Sequence, residues 1–378
     1  MERQKFKDDW AGLPPELVTI ISEKVTTITA YIRLRLVCKA WRQALPPNPR
    51  HHPPQSPWLL LPRIPTDGDT ECSSDHSDEL NFYDPFQSKT HRLRFPYISG
   101  KRICGFSHGW LVLEHDLRVS LFNPITQSVM DFPSFDTLLK YPIPSRPLHP
   151  ANRQFVGKAI LSCNPSDDGC LVVSRLRMTS NWQLAFCRIG DTHWTGLLRS
   201  DPWIELIDLF CHKNMVYMVY RVIENKVSVY NLQDLSVTTF PSIISYNAAY
   251  DQISLVDGDS ESVHPLVIIS FQGYKENKKN ISIYKWFEDR QQWCRVRNIG
   301  KSTLFLSWGH SINLQLEEGH ENQIYYDVRL NTDDEQQFCI GIRRVYLERK
   351  VDLRYNPGPI EYYPSRSGIP MWVTPSLF

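Results

Sequence analysis

The sequence predicts a small all-α module followed by an all-β domain, for which a β-propeller of about six blades is the best fit. Three observations carry this. Apolar residues recur at helical spacing only within residues 1–45. From Trp58 onward the chain becomes a series of short runs rich in Val, Ile, Tyr, Phe and Trp, punctuated by Asn, Asp, Gly and Pro. Along that zone a degenerate unit recurs, in which a strand, a polar turn and a returning strand follow one another.

The first helix begins in LPPELVTIISEKV (13–25), where proline in the opening turn forfeits no hydrogen bond, since that N–H has no helical partner. Leu17, Ile20 and Ile21 form an i, i+3, i+4 apolar face with Leu13 one turn earlier, while Val18 and Val25 point elsewhere. Glu16 near the start and Lys24 near the end suit the helix dipole. After a break at 26–29, IRLRLVCKAWRQAL (32–45) carries two apolar rows. One holds Leu34, Val37, Cys38, Trp41 and Leu45; the other holds Leu36, Ala40 and Ala44. A module of roughly 35 residues is too small to sustain a core alone, so the second row predicts a partner surface.

Residues 46–57, PPNPRHHPPQSP, form a proline-rich connector that blocks helix continuation and stiffens the chain. The domains are therefore expected at 9–45 and 58–378, with the connector between. Within the second, FNPITQSVMDFP (122–133) and YNLQDLSVTTFP (230–241) align without a gap, and YDPFQSKTHRLRFP (83–96) is the same unit with a longer middle. FCRIGDTHWTGL (186–197) and YKWFEDRQQWCRV (284–296) are looser relatives. Strand candidates precede them at WLLLP (58–62), GWLVLE (109–114), GCLVVSRL (169–176), NMVYMVYRV (214–222) and HPLVIISF (264–271). QIYYDVRL (323–330) and CIGIRRVYL (339–347) supply a sixth unit. Radial stacking covers both faces of such small sheets. A series of hairpins in a sandwich, or two packed sheets, fits the same pattern. No Gly-Gly pair supports a kelch repeat and no Trp-Asp dipeptide supports WD40.

The chain has 378 residues with 42 basic and 41 acidic side chains. That balance gives no electrostatic reason to expect a nucleic-acid or anionic-membrane partner. No apolar run reaches bilayer length, and MERQKFKDDWAG lacks a signal-peptide core. The nine cysteines are scattered without a C-x-x-C pair, as in a reduced cytoplasmic or nuclear protein. The sequon Asn280-Ile281-Ser282 is then a chance match.

No catalytic residue, cofactor or metal site is expected. The histidines form no H-x-x-x-H pair, and neither a nucleophile elbow nor a phosphate loop is present. His51 and His52 belong to the connector, and His310 and His320 to a loop. DGDTECSSDHSDE (67–79) lacks the spacing and terminal glutamate of a calcium loop and reads as a solvated segment. The Lys275–Asn280 run has no interleaved aromatics to stack bases on and reads as a hairpin tip. Trp182, Trp194, Trp203, Trp286, Trp293 and Trp308 read mainly as packing between blades.

Leu13-Pro14-x-Glu16-Leu17, the Ile20/Ile21 pair and Val37-Cys38-Lys39-Ala40-Trp41-Arg42 resemble an F-box. With the connector, the strand Trp58–Pro62, the FNP-type hairpins and the terminal Met371-Trp372-Val373-Thr374-Pro375, nearly the whole chain resembles plant F-box proteins with a KIB-type β-propeller. The segment 342–365 departs most from that pattern. The resemblance implies a three-helix module that docks on the adaptor Skp1, and through it on the cullin–RING core of an SCF ubiquitin ligase. Carried over position by position, Leu13, Pro14, Leu17, Ile20, Ile21, Leu34, Val37, Cys38 and Trp41 would bind Skp1, the last four of them shared with the module's own core. The expected function is non-catalytic recognition of a client protein by the propeller. The rival is an F-box protein that blocks a kinase or transcription regulator by occlusion, without degradation. A propeller glycosidase would require convergent carboxylates at the central channel, about 5–10 Å apart.

Overall fold

The computed structural model describes residues 10–25, 31, 34–35, 37–45, 57–61, 78–138, 155–177, 182–199, 205–213, 215–221, 225–241, 252–258, 263–272, 279–307, 309–316, 319–331, 338–346, 352–362 and 370–374. The connector up to Ser56 (with His51 and His52), the acidic stretch up to Ser77, the 273–278 tip, Trp203 and Trp308 lie outside the described residues.

Six sheets follow one another along the chain. Blade 1 holds β1 (Trp58–Leu60), β2 (Glu79–Asp84) and β3 (Lys89–Arg94). Blade 2 holds β4 (Arg102–Ser107), β5 (Trp110–His115), β6 (Arg118–Phe122) and β7 (Val129–Asp131). Blade 3 holds β8 (Val156–Leu161), β9 (Leu171–Arg177), β10 (Trp182–Arg188) and β11 (Thr195–Arg199). Blade 4 holds β12 (Glu205–His212), β13 (Met215–Arg221), β14 (Asn225–Asn231) and β15 (Val237–Phe240). Blade 5 holds β16 (Gln252–Val256), β17 (Leu266–Gln272), β18 (Lys279–Phe287) and β19 (Gln292–Val296). Blade 6 holds β20 (Ser302–Leu306), β21 (Ile312–Gln315), β22 (Gln323–Asn331), β23 (Phe338–Tyr346) and β24 (Asp352–Tyr362). β25 (Met371–Val373) returns to blade 1 and pairs antiparallel with β1, Leu59 opposite Trp372, which closes the ring. Blade 6 is irregular, because β20 pairs parallel with β22 and antiparallel with β21.

The second strand of a blade is mostly apolar because both its faces are covered. Along β5, Trp110 and Val112 pack toward blade 3 with Val156, Phe155 and Trp194. Leu111 and Leu113 pack toward blade 1 with Leu80, Phe82 and Met371. The period-2 alternation of a strand thus serves two cores at once. β1 repeats the pattern, with Leu60 facing blade 2 and Leu59 facing blade 6. Further clusters join blades 3 and 4, 4 and 5, and 5 and 6, so an apolar core lies at every blade interface. Trp182, Trp194, Trp286 and Trp293 are all buried in these interfaces.

The recurrent hairpin has a chemical cause. Asp84, Asn123 and Asn231 each accept, through the side-chain carbonyl or carboxylate oxygen, a hydrogen bond from the backbone N–H two residues on. Four residues after each, Ser88, Gln127 and Leu235 adopt positive φ of 52°, 56° and 61°. The Asx turn reverses the chain and the left-handed residue returns it to the sheet. In blade 5 the same left-handed residue is Gln291, φ 49°.

Polar bolts near the centre join neighbouring blades. Glu114 Oε1 accepts from Phe155 N and Val156 N at 2.7 Å each, and Arg102 pairs with the other carboxylate oxygen. Asp208 accepts from Lys158 Nζ of blade 3 at 2.5 Å and from Leu255 N of blade 5 at 2.8 Å. β4 and β8 approach so closely that a Cβ on Gly105 would lie 1.9 Å from the Ala159 carbonyl oxygen.

Ahead of the ring, Trp10–Gly12 forms a 3-10 turn, followed by α1 (Pro15–Glu23) and α2 (Lys39–Ala44). Between them Tyr31, Leu34 and Arg35 are helical. The helical spacing read over 32–45 is interrupted at Val37–Cys38. Cys38 is extended (φ −160°, ψ 173°) and caps α2, its sulfur accepting from Trp41 N at 3.5 Å. A sulfur acceptor at the cap position satisfies one of the donors that an incoming helix leaves unpaired.

Candidate functional site

The N-terminal module has a core of four fully buried side chains, Val18, Tyr31, Trp41 and Leu45. Trp41 is locked there by its indole N–H, which donates to the Trp10 carbonyl at 2.8 Å. Burial holds the Tyr31 hydroxyl above its ordinary pKa and the nearby Arg35 guanidinium below its own. Leu13, Ile21, Val25, Leu34, Cys38 and Ala44 pack around this core. α1 turns Val18 and Ser22 inward, and Val25, just past the helix end, packs on the same core, so both valines point away from Leu17 and Ile20 as the spacing implied. The helix presents two apolar rows, and the core takes the row that Trp41 can cover.

The row left over faces outward. Leu17 is 45% exposed and Ile20 52%, one turn apart on α1. Val37, just before the Cys38 cap of α2, is 50% exposed and Trp10 60%. Four of the nine large hydrophobics exposed among the described residues thus fall within 28 residues of one another. Pro14, also exposed, sits at the N-cap of α1, and Glu16 lies in its first turn.

The nine candidate residues accordingly separate into two groups. Pro14, Leu17, Ile20 and Val37 offer surface. Leu13, Ile21, Leu34 and Cys38 are half-buried against the module's core, and Trp41 is inside it. Trp10 was not among the candidates. Its signal was a lone tryptophan in a polar N-terminal stretch, without a helical pattern to place it.

In the ring, three carboxylates have close partners. Glu114 and Asp208 hold the blade bolts, and Asp257 lies 2.7 Å from His212 Nδ1. His310 packs edge-on against Phe106, and burial, aided by Lys158 and His108, pushes its pKa down to about 3. Burial pushes the thiols of Cys104, Cys170, Cys187 and Cys211 up to about 12, which leaves them as neutral packing groups. Among the described residues no group of His, Cys, Asp and Glu has the geometry to hold a metal ion, and no helix is long and apolar enough to cross a membrane.

Comparison with known proteins agrees with both halves. A family model for the F-box domain matches residues 10–50, and one for the KIB1-4 beta-propeller matches residues 82–346. The chain is 22% identical over 350 residues to F-box protein At2g26160 of Arabidopsis thaliana, covering 85% of this chain and 96% of that protein. It is 26% identical over 183 residues to F-box protein At3g56470 of the same plant, where the match spans 48% of this chain and 41% of the relative. Among solved structures it is similar to the beta-propeller domain of Cps50 (Swd1) from Myceliophteria thermophila, at TM-score 0.38 and 11% identity over 79% of this chain and 93% of that one. With the propeller family model spanning most of the ring and the F-box model spanning the helical module ahead of it, the chain belongs to the KIB1-4 beta-propeller family and carries an N-terminal F-box.

Proposed function

We propose that the chain is the substrate-recognition subunit of an SCF-type ubiquitin ligase, with the F-box seated on a Skp1-type adaptor and the propeller holding a client protein. The observation that carries this reading is the outward pair Leu17 and Ile20, with Val37 also exposed, on a module whose apolar side chains Val18, Tyr31, Trp41 and Leu45 are already buried. An apolar row of this kind is stabilised when a partner removes it from water. The adaptor links the chain to cullin. The propeller performs no bond chemistry and acts by raising the local concentration of client lysines near the ubiquitin-loaded enzyme. The site of action is the cytoplasm, the nucleus or both.

The test is purification of the full chain from cells under proteasome inhibition, wild type against Leu17→Asp with Ile20→Asp. These positions are preferable to Leu13, whose side chain belongs partly to the core. Skp1-type adaptor and cullin should accompany the wild type and be lost from the variant, with captured client retained. Wild-type chain free of both would refute the reading. Client inhibition that persists in the variant would favour occlusion without degradation.

A further inference from the structure

The hairpins that close the outer edges of the blades share one backbone frame, yet their tips do different things. The residue two places after the Asx position is Phe86 in blade 1, Ile125 in blade 2 and Gln233 in blade 4, and Asp289 stands at the matching place in blade 5. Gln233 and Asp289 are exposed. Phe86 packs on Phe305 and Tyr325 of blade 6. Ile125 packs against the F-box core of Val18, Tyr31, Trp41 and Leu45, and among the described residues it is the one propeller side chain in that cluster.

The tip holds Ile125 in a preset position. Asn123 is fully buried, and its Oδ1 accepts from Ile125 N at 2.9 Å and from Thr126 N at 3.0 Å. Gln127 N donates to the Asn123 carbonyl at 2.8 Å, and Thr126 Oγ1 donates to Ser128 Oγ at 2.9 Å. Pro124 narrows the backbone further. A side chain on so constrained a turn loses little freedom when it docks. The surface it meets belongs to a module too small to close well by itself.

The geometry points to the blade 2 hairpin as a clamp: Ile125 completes the F-box core in cis and fixes the F-box to one end of the ring. That end is the one bearing the β4–β5 turn at His108–Gly109, since alternate connections of an antiparallel sheet fall at the same edge. The turn at Asp116–Leu117 lies at the opposite end. On the adaptor reading proposed above, on which this consequence rests, the clamp sets the bearing of the client-holding ring toward the ubiquitin-transferring enzyme. The proline-rich connector is then not the element that sets it.

The test is hydrogen exchange on the full chain, wild type against Ile125→Asp, with Gln233→Asp as the matched control at an exposed tip. Amides of Val18, Arg42 and Leu45, which are hydrogen-bonded within the module, should exchange at least tenfold faster in Ile125→Asp. They should keep their wild-type rates in Gln233→Asp, and the blade 2 amides of 111–122 should stay protected in both. If Ile125→Asp loosens blade 2 itself, Ile125→Ala, which keeps the turn's backbone bonds, gives the same reading with a smaller change. Wild-type rates at the F-box amides in both Ile125 variants would overturn the clamp. Adaptor binding by wild-type chain is measured separately. Its failure would sink the adaptor reading and leave the exchange result standing.

Discussion

Replacing Trp372 tests whether the first and last strands of the ring hold each other. The side chain is 0% exposed, its ring packs edge-on against Phe305 with centroids 5.0 Å apart, and its indole N–H donates to the Leu306 carbonyl at 3.0 Å. Its backbone N–H donates to the His310 carbonyl as well. Trp372→Ala removes the packing and leaves a cavity, a loss of about 3–5 kcal/mol. Trp372→Phe keeps most of the apolar contact and leaves the Leu306 carbonyl without this donor, costing about 1–2 kcal/mol. With a urea m value of about 3 kcal/mol/M, the unfolding midpoint falls by about 1–1.7 M for the alanine variant and by about 0.3–0.7 M for phenylalanine. Far-UV circular dichroism against urea measures both. A Trp372→Ala midpoint indistinguishable from wild type, or equal to that of Trp372→Phe, would refute closure through β25.

Leu17→Ala with Ile20→Ala removes two half-exposed side chains whose remaining surface would be covered on docking. At about 1 kcal/mol each the adaptor Kd should rise about 30-fold in calorimetric titration, with no change in the melting of the free chain. Asp208→Ala strands Lys158 and the Leu255 N–H between three blades and should destabilise the ring by about 3–5 kcal/mol; the double variant with Lys158→Met should recover much of this in the same urea assay. His310 has a folded pKa far below its unfolded one, so below about pH 6.5 the unfolded chain takes up a proton that the folded chain refuses. Its contribution to stability is complete above about pH 6.5 and is lost as pH falls toward 3, at up to about 1.4 kcal/mol per unit. His310→Gln should flatten that part of the stability–pH curve, and an unchanged slope would show that His310 is not held neutral.

The outer hairpins were legible because their signal is local. An aromatic followed by Asn or Asp, then a left-handed residue four places on, is written within six positions in YDPFQS, FNPITQ and YNLQDL. The second strands were legible for another reason: burial on two faces leaves runs such as WLVL in GWLVLE with four successive apolar residues. The innermost strands were harder. RICGFS in β4 and VGKAIL in β8 mix glycine and charge with apolar residues, because Gly105 admits a neighbouring backbone and Lys158 reaches Asp208 across a blade boundary. Closure left no local trace either, since MWV pairs with WLL from the far end of the chain. In the F-box the spacing put Leu17, Ile20 and Ile21 on one face of the first helix and turned Val18 and Val25 away from it, without showing which side the module's core would take. That choice is made by Trp41, and by a hairpin more than 80 residues further along the chain.

The pairing of β1 with β25 also dates the ring's completion during synthesis. β1 emerges early, with one hydrogen-bonding edge reserved for residues 371–373. At roughly 5–20 residues per second a ribosome needs on the order of 15–60 s to deliver that partner. Throughout that interval Trp58–Leu60 presents an unmatched apolar edge of the kind that recruits strands from neighbouring chains. The F-box waits a much shorter time for its hairpin at Ile125. The nascent protein thus holds a nearly finished handle while its ring stands open, which makes the seam of blade 1 the place where a chaperone would be needed first.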